Sequence, residues 1–187
     1  MTDGAGRLTV FLDRDGVINR RRPDHVKSWE EFEFLPGSLE ALAQLREIEA
    51  RVIVITNQAA VGRGLIGQED LARLHSRMTE IVRESGGLIE GIYACPHLPE
   101  ARCACRKPGT ELFMRASSEL GVDLNDSFMI GDSPTDVLAA NAVGCRPVFI
   151  TEENRGQLAE GCLVARDLLE AVHLIAAETA RAGVMSC

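Results

Sequence analysis

Short apolar runs alternate along the chain with longer stretches in which apolar residues recur every three or four positions. The runs are Leu8 to Leu12, Val52 to Thr56, Ile89 to Ala94, Phe128 to Ile130 and Pro147 to Ile150, with a weaker one from Cys162 to Ala165. Each is rich in β-branched or aromatic residues and bounded by turn formers, which predicts buried strands. Between them, Leu39, Leu42, Leu45 and Ile48 keep helical spacing after Pro36-Gly37-Ser38, and Leu71, Leu74, Met78, Ile81 and Val82 mark a longer helix. Leu112, Phe113, Ala116 and Leu120 predict a third helix closed by Gly121. A fourth begins near Ser133, and a fifth covers Leu168, Leu169, Val172 and Ile175. Strands and helices in alternation predict an α/β fold, a Rossmann-like parallel sheet with helices on both faces. Residues 20–36 and 95–109 fit neither pattern, and long irregular segments in compact domains are usually functional.

Composition narrows the class. The 187 residues suit one domain spanning 1–187. With 45% apolar and 26% charged residues, the chain is an ordinary globular one, neither disordered nor collagenous nor held by disulfides. No apolar run approaches the ~20 residues of a bilayer span, and Met1 to Gly6 lack a basic-then-apolar leader, so the expectation is a cytoplasmic protein without membrane contact. A net charge of −8, with Arg20-Arg21-Arg22 as the basic run, argues against nucleic acid as a partner. An anionic small molecule remains compatible with that charge if a few cations gather at one site. Three of the six cysteines, Cys95, Cys103 and Cys105, crowd around His97, which in a cytosolic chain reads as metal binding. Cys145, Cys162 and Cys187 read as free thiols, and a monomer is the default assembly.

The first strand runs into Asp13-Arg14-Asp15-Gly16, which puts two carboxylates at the end of a buried strand, where open α/β sheets bind ligands. Two such groups in one crevice repel, and a divalent cation held by oxygen ligands, magnesium, would stabilise both. Magnesium in turn points to a phosphate. Aspartates are ionised at neutral pH, so Asp13 is placed to attack phosphorus without a separate base. Asp15, kept partly protonated by its anionic neighbours, would protonate the leaving oxygen and later activate water. The same Asp-x-Asp-Gly also reads as a plain turn. Three further segments tip the balance. Thr56 and Asn57 close the second strand, with Gln58 next and Arg63 in a glycine loop, supplying a hydroxyl, amides and a cation for phosphate oxygens. Arg106 and Lys107 precede Pro108, and Lys107 would act as a point charge on the transferring group. After the fourth strand, Gly131-Asp132-Ser133-Pro134-Thr135-Asp136 offers Asp132 as a third carboxylate, while Ser133, Pro134 and Asp136 form a sound helix start.

Taken in order, FLDRDGVIN, VITNQ, CRKP and IGDSPTD resemble the motifs of the haloacid dehalogenase superfamily of phosphatases, and more narrowly its histidinol-phosphatase and heptose-bisphosphatase branch. The resemblance covers Val10 to about Ile150. It implies Asp13 as nucleophile and Asp15 as general acid/base. It places magnesium on Asp13, the Asp15 backbone carbonyl and Asp132, and the phosphoryl group on Thr56, Asn57 and Lys107. Asn19, at the end of the first motif, joins Gln58, Arg63 and Arg106 among the substrate-binding candidates. Cys95, His97, Cys103 and Cys105 match the zinc loop of the branch, about 95–109. Three thiolates and an imidazole make a closed structural site that would place Arg106 and Lys107 at the cleft mouth. Related phosphatases insert a cap domain, for which this chain has no room, so the zinc loop is expected to take its place.

Within the branch two esters compete. The five-residue spacer between His97 and Cys103 is closer to the histidinol-phosphate form. Against it, that enzyme is commonly fused to a dehydratase domain. The arginines at 20–22, 63, 102 and 106 suit a second phosphate, whereas an amine would want carboxylates. The balance favours D-glycero-D-manno-heptose 1,7-bisphosphate losing its C7 phosphate, with histidinol phosphate second. A phosphate-binding protein without turnover is the reading from another class.

Overall fold

The structure is a computed structural model that describes residues 7–151 and 161–185; Met1 to Gly6 and Cys187 lie outside the described residues. Six strands form one sheet: β1 (Thr9–Leu12), β2 (Arg51–Asn57), β3 (Gly91–Cys95), β4 (Ser127–Gly131), β5 (Arg146–Ile150) and β6 (Leu163–Ala165). Their order is β3-β2-β1-β4-β5-β6, and every pairing is parallel. β1, β2 and β4 are buried on both faces, which is why they read as continuous apolar runs rather than as alternation.

Alternate residues of these strands feed two cores. Val10, Leu12, Val52, Val54, Phe128 and Ile130 pack on one face against α1 (Ser38–Glu47), α3 (Gln68–Glu84) and α6 (Leu168–Met185). Phe11, Ile53, Ile55 and Met129 pack on the other against α4 (Glu111–Leu120) and α5 (Pro134–Val143). The helical stripes therefore bury as the periodicity predicts: Leu71, Leu74, Met78 and Val82 of α3 are buried, whereas Ile81 is only partly so. Ile48 falls past the end of α1 and is 43% exposed, so it is not part of that helix's core face. α4 ends on Gly121 in the left-handed region, and α5 starts with a full capping box between Ser133 and Asp136.

A four-residue helix, α2 (Ala59–Gly62), and single 3₁₀ turns at Trp29–Glu31 and Pro99–Ala101 escape the periodicity, because one turn contains too few residues to show a period. The 20–36 excursion is pinned as a ribbon. Arg20 N donates to Glu33 O at 2.8 Å and Leu35 N to Ile18 O at 3.0 Å. Trp29 stacks on Phe32 at 5.0 Å, Phe34 meets Phe32 edge-on, and Arg77 of α3 lies 6.0 Å over the indole. These contacts hold Arg21 and Arg22 over the carboxyl ends of the strands. Among the described residues, no helix is long and apolar enough to cross a membrane.

Candidate active site

The strand order reverses between β1 and β4, and a ligand crevice opens at such a switch point, beyond the carboxyl ends. Asp13 N donates to Ile130 O at 2.9 Å, which ties the end of β1 to β4. The chain then turns tightly, with Arg14 O accepting from Ile18 N at 2.8 Å and Asn19 N at 3.1 Å. Gly16 sits at φ +90°, and a Cβ there would run into the Asp132 carboxylate, so only glycine lets the β1 and β4 loops close on each other. Gly131 is needed for the same reason, since a Cβ there would collide with Asp136. The resulting cleft, about 700 Å³, is lined by Asp13, Asp15, Asn57, Gln58 and Lys107 and by cations from both long loops.

Lys107 is the electrostatic centre. Its Nζ lies 2.7 Å from Asp136 Oδ1 and 3.1 Å from Asp13 Oδ1, and donates to Ile55 O at 2.6 Å, with the side chain 1% exposed. Burial works against the ammonium, but Asp13 and Asp136 outweigh it and hold Lys107 above the ordinary lysine range. Asp132 stands at the other side. Burial pushes its carboxyl up to about 6; Asp13 and Asp136 add to this, and Arg21 and Lys107 oppose it. Arg21 Nη2 donates to Asp132 Oδ1 at 2.8 Å. One oxygen from each of Asp13, Asp132 and Asp136 lies within 4.8 Å of the others. This concentration of negative charge fits a divalent cation with oxygen ligands.

Asp15 corrects one expectation. Burial opposes its charge, but the Arg14 guanidinium, with bonds from Asn19, Arg14 and Gln58, holds it below the usual carboxylate range. Arg14 Nη2 reaches Oδ1 at 2.9 Å and Oδ2 at 3.0 Å, Asn19 Nδ2 donates to Oδ1 at 2.9 Å, and Gln58 Nε2 to Oδ2 at 2.7 Å. The group is thus ionised in the resting site rather than partly protonated by anionic neighbours.

Several predicted contacts take other roles. Asn19 is fully buried, and its Nδ2 donates to Asp15 Oδ1 and Arg20 O, which orients the carboxylate. Thr56 is also fully buried, its hydroxyl accepting from Gln58 Nε2 at 2.9 Å, and it does not line the cleft. Asn57 lines it but clasps the Lys107 backbone, accepting from Lys107 N at 3.0 Å and donating to Lys107 O at 3.2 Å. Arg63 is exposed at the end of α2, away from the cleft lining. Arg106 lines the cleft and reaches His97 O at 3.3 Å; Arg102 lies beside it. Asp136 does more than cap α5: besides accepting from Ser133 N at 3.0 Å it holds Lys107.

Cys95, His97, Cys103 and Cys105 converge in the wall of the cleft. Sulfur separations are 3.2 to 3.6 Å, and His97 Nδ1 lies 3.2 Å from Cys105 Sγ and 3.6 Å from Cys95 Sγ. These exceed the ~2.05 Å of a disulfide and approach the edge, roughly 3.8 Å, of a tetrahedron of zinc–sulfur bonds. Burial and neighbouring thiols push Cys105 up to about 12, the crowding that a shared cation relieves. Cys145 is a buried free thiol and Cys162 a partly buried one, as read from the sequence.

Two polar residues behind Asp15 are not evident from the sequence pattern. Arg14 reads as filler between two aspartates, yet it is 0% exposed and forks onto Asp15. His75 of α3 lies 3.0 Å from Arg14 Nη1. The available signals were strand alternation, which turns Arg14 away from Asp13, and a histidine inside the Leu71-Met78 stripe.

Comparison with known proteins accords with this geometry. A family model described as "HAD-hyrolase-like" matches residues 104–171. The D-glycero-beta-D-manno-heptose-1,7-bisphosphate 7-phosphatase of Pseudomonas aeruginosa is 39% identical over 168 residues, 87% of this chain and 94% of that one. The enzyme of the same name from Helicobacter pylori is 35% identical over 89% of this chain and 96% of its own. Among solved structures, the D,D-heptose 1,7-bisphosphate phosphatase of B. bronchiseptica, crystallised with magnesium and phosphate, superposes with a TM-score of 0.85 at 36% identity, covering 92% of this chain and 99% of that one. With such coverage by relatives of one name, the chain belongs to the heptose-bisphosphatase branch of the haloacid dehalogenase superfamily.

Proposed function

We propose that the protein is a magnesium-dependent phosphomonoester hydrolase that removes the C7 phosphate of D-glycero-D-manno-heptose 1,7-bisphosphate, working as a single-domain cytoplasmic monomer. The observation that carries the reading is Asp13 at the cleft floor, 3.1 Å from Lys107 and grouped with Asp132 at the switch point. Its relatives' names and the magnesium and phosphate of the B. bronchiseptica enzyme support the substrate and the metal. The cleft supplies the rest of the argument: Arg21, Arg22, Arg102 and Arg106 line it, and its carboxylates are Asp13 and Asp15. That excess of cations over carboxylates in the lining suits a second phosphate better than the amine of histidinol phosphate.

Asp13, the Asp15 backbone carbonyl and Asp132 would hold magnesium, which when bound neutralises phosphoryl charge. The two bonds that Asp13 accepts from Arg14 N and Lys107 both fall on Oδ1. The carboxylate attacks phosphorus while the bond to the sugar oxygen breaks. Asp15 takes up a proton as the anionic ester beside it raises its proton affinity, and passes it to the leaving oxygen. In the second half Asp15, ionised again, takes a proton from water, whose oxygen attacks the phosphoaspartate and frees Asp13 and inorganic phosphate. Lys107, held by Asp136, stays charged throughout. Cys95, His97, Cys103 and Cys105 would hold zinc, which fixes the loop presenting Arg102 and Arg106.

Turnover measured on both esters with magnesium tests the reading. The bisphosphate should be hydrolysed far faster than histidinol phosphate, and the reverse order would overturn the substrate. Asp13→Asn should lower turnover at least about 1,000-fold with an unchanged melting temperature, because a neutral amide cannot form the phosphoaspartate.

A further inference from the structure

A part-buried polar chain, with Arg14 fully enclosed at its middle, runs from the cleft to α3. Arg14 Nη2 is bound to both oxygens of Asp15, and its Nη1 lies 3.0 Å from His75 Nε2. A guanidinium has only donors, so the imidazole accepts at Nε2 and carries its proton on Nδ1. Burial, then the Arg14 cation, pushes the His75 imidazole down to about 3, with Asp15 pulling the other way, so the ring stays a neutral acceptor near neutrality. Arg14 Nε finds no acceptor among the described residues. The guanidinium is therefore held at its two ends alone, by Asp15 in the cleft and His75 on the helix.

We propose that His75 is a positioning residue for the Asp15 carboxylate and acts through Arg14. A planar guanidinium pinned at Nη1 presents Nη2 to Asp15 in one orientation. Without that pin the buried cation can turn, and Asp15 turns with it. Asn19 holds Oδ1 and Gln58 holds Oδ2, whereas Arg14 Nη2 spans both oxygens and carries the charge that faces them. The loss falls on proton transfer to the leaving oxygen, not on binding of the phosphoryl group, which Lys107 and the arginines serve. The inference rests on Asp15 acting as the general acid.

The experiment follows leaving-group release in single turnovers, enzyme in excess with magnesium, for two esters. One is an alkyl sugar phosphate, whose leaving oxygen needs a proton; the other is p-nitrophenyl phosphate, whose leaving group departs without one. His75→Leu should slow the alkyl ester about tenfold more than the aryl ester, while KM for the alkyl ester stays within about twofold. His75→Gln, whose Oε1 can accept from Arg14, should stay within about threefold of the parent on both. Should His75→Leu fail to fold, His75→Asn, too short to keep the contact, gives the same comparison. Equal slowing of both esters, or no slowing, overturns the inference. Asp15→Asn separates the two levels. If it shows the selective loss and His75→Leu does not, the inference alone falls; if Asp15→Asn shows none, the role of Asp15 falls and takes the inference with it.

Discussion

Lys107 shows what one side chain can carry when it is fully enclosed. Its ammonium faces two carboxylates, so its loss leaves Asp13 and Asp136 buried without that counter-charge, each keeping only a backbone N–H bond. Lys107→Met should cost about 3–5 kcal/mol in urea unfolding, and adding Asp136→Asn should recover part of it, because the second change removes one stranded charge. A double variant no more stable than Lys107→Met would show that the pair is not coupled. His75 makes a different prediction. Its folded value of about 3 lies below the ~6.5 of an unfolded histidine, so below pH 6.5 the unfolded chain binds a proton that the native chain refuses. That contribution is complete above pH 6.5 and is lost as pH falls toward 3, with a slope of up to about 1.4 kcal/mol per pH unit. Unfolding free energies of the parent should therefore fall more steeply from pH 7 to 4 than those of His75→Gln; parallel curves would place His75 in water.

At the scale of elements, the strands and helices were legible because each has its own period, and three of the four site motifs because each follows a strand, while CRKP stands in the irregular segment after β3. What the motifs concealed is who faces whom. The chemistry of Thr56 and Asn57 suits phosphate, and the tertiary structure adds that β2 buries Thr56 and that Asn57 clasps the Lys107 backbone. Arg63 was counted for its charge, and the short α2 takes it off the cleft. The 95–109 loop has little regular structure, and the proposed zinc on Cys95, His97, Cys103 and Cys105 would supply its order. Elemental analysis of protein purified without chelator should find one zinc per chain. Stripping it should raise hydrogen exchange across 95–109 and raise KM more than it lowers kcat, since Arg102 and Arg106 ride on that loop. A zinc-free preparation with a protected loop would remove the metal from the account.

The whole molecule is a sheet with a core on each face. Phe11 and Leu42, each 0% exposed, lie in different cores separated by the strands. Phe11→Ala should cost about 3–5 kcal/mol and Leu42→Ala about 2–5 kcal/mol, and the double variant should equal their sum within about 0.5 kcal/mol. A larger discrepancy in denaturant unfolding would mean that the two cores communicate through the sheet.

Local pattern settles whatever is encoded by residues close in the chain: the strand and helix periods, the capping box at Ser133, the Asp-x-Asp turn, and the crowding of Cys95, His97, Cys103 and Cys105. The strand order did not follow from it, nor did the pairing of Arg14 with His75, of Asp15 with Gln58, or of Lys107 with Asp13 and Asp136. Those depend on groups up to 94 positions apart meeting in a medium from which water is excluded. There a charge is set by its neighbours in space, so Asp15 is ionised where adjacency in sequence argued for a shared proton.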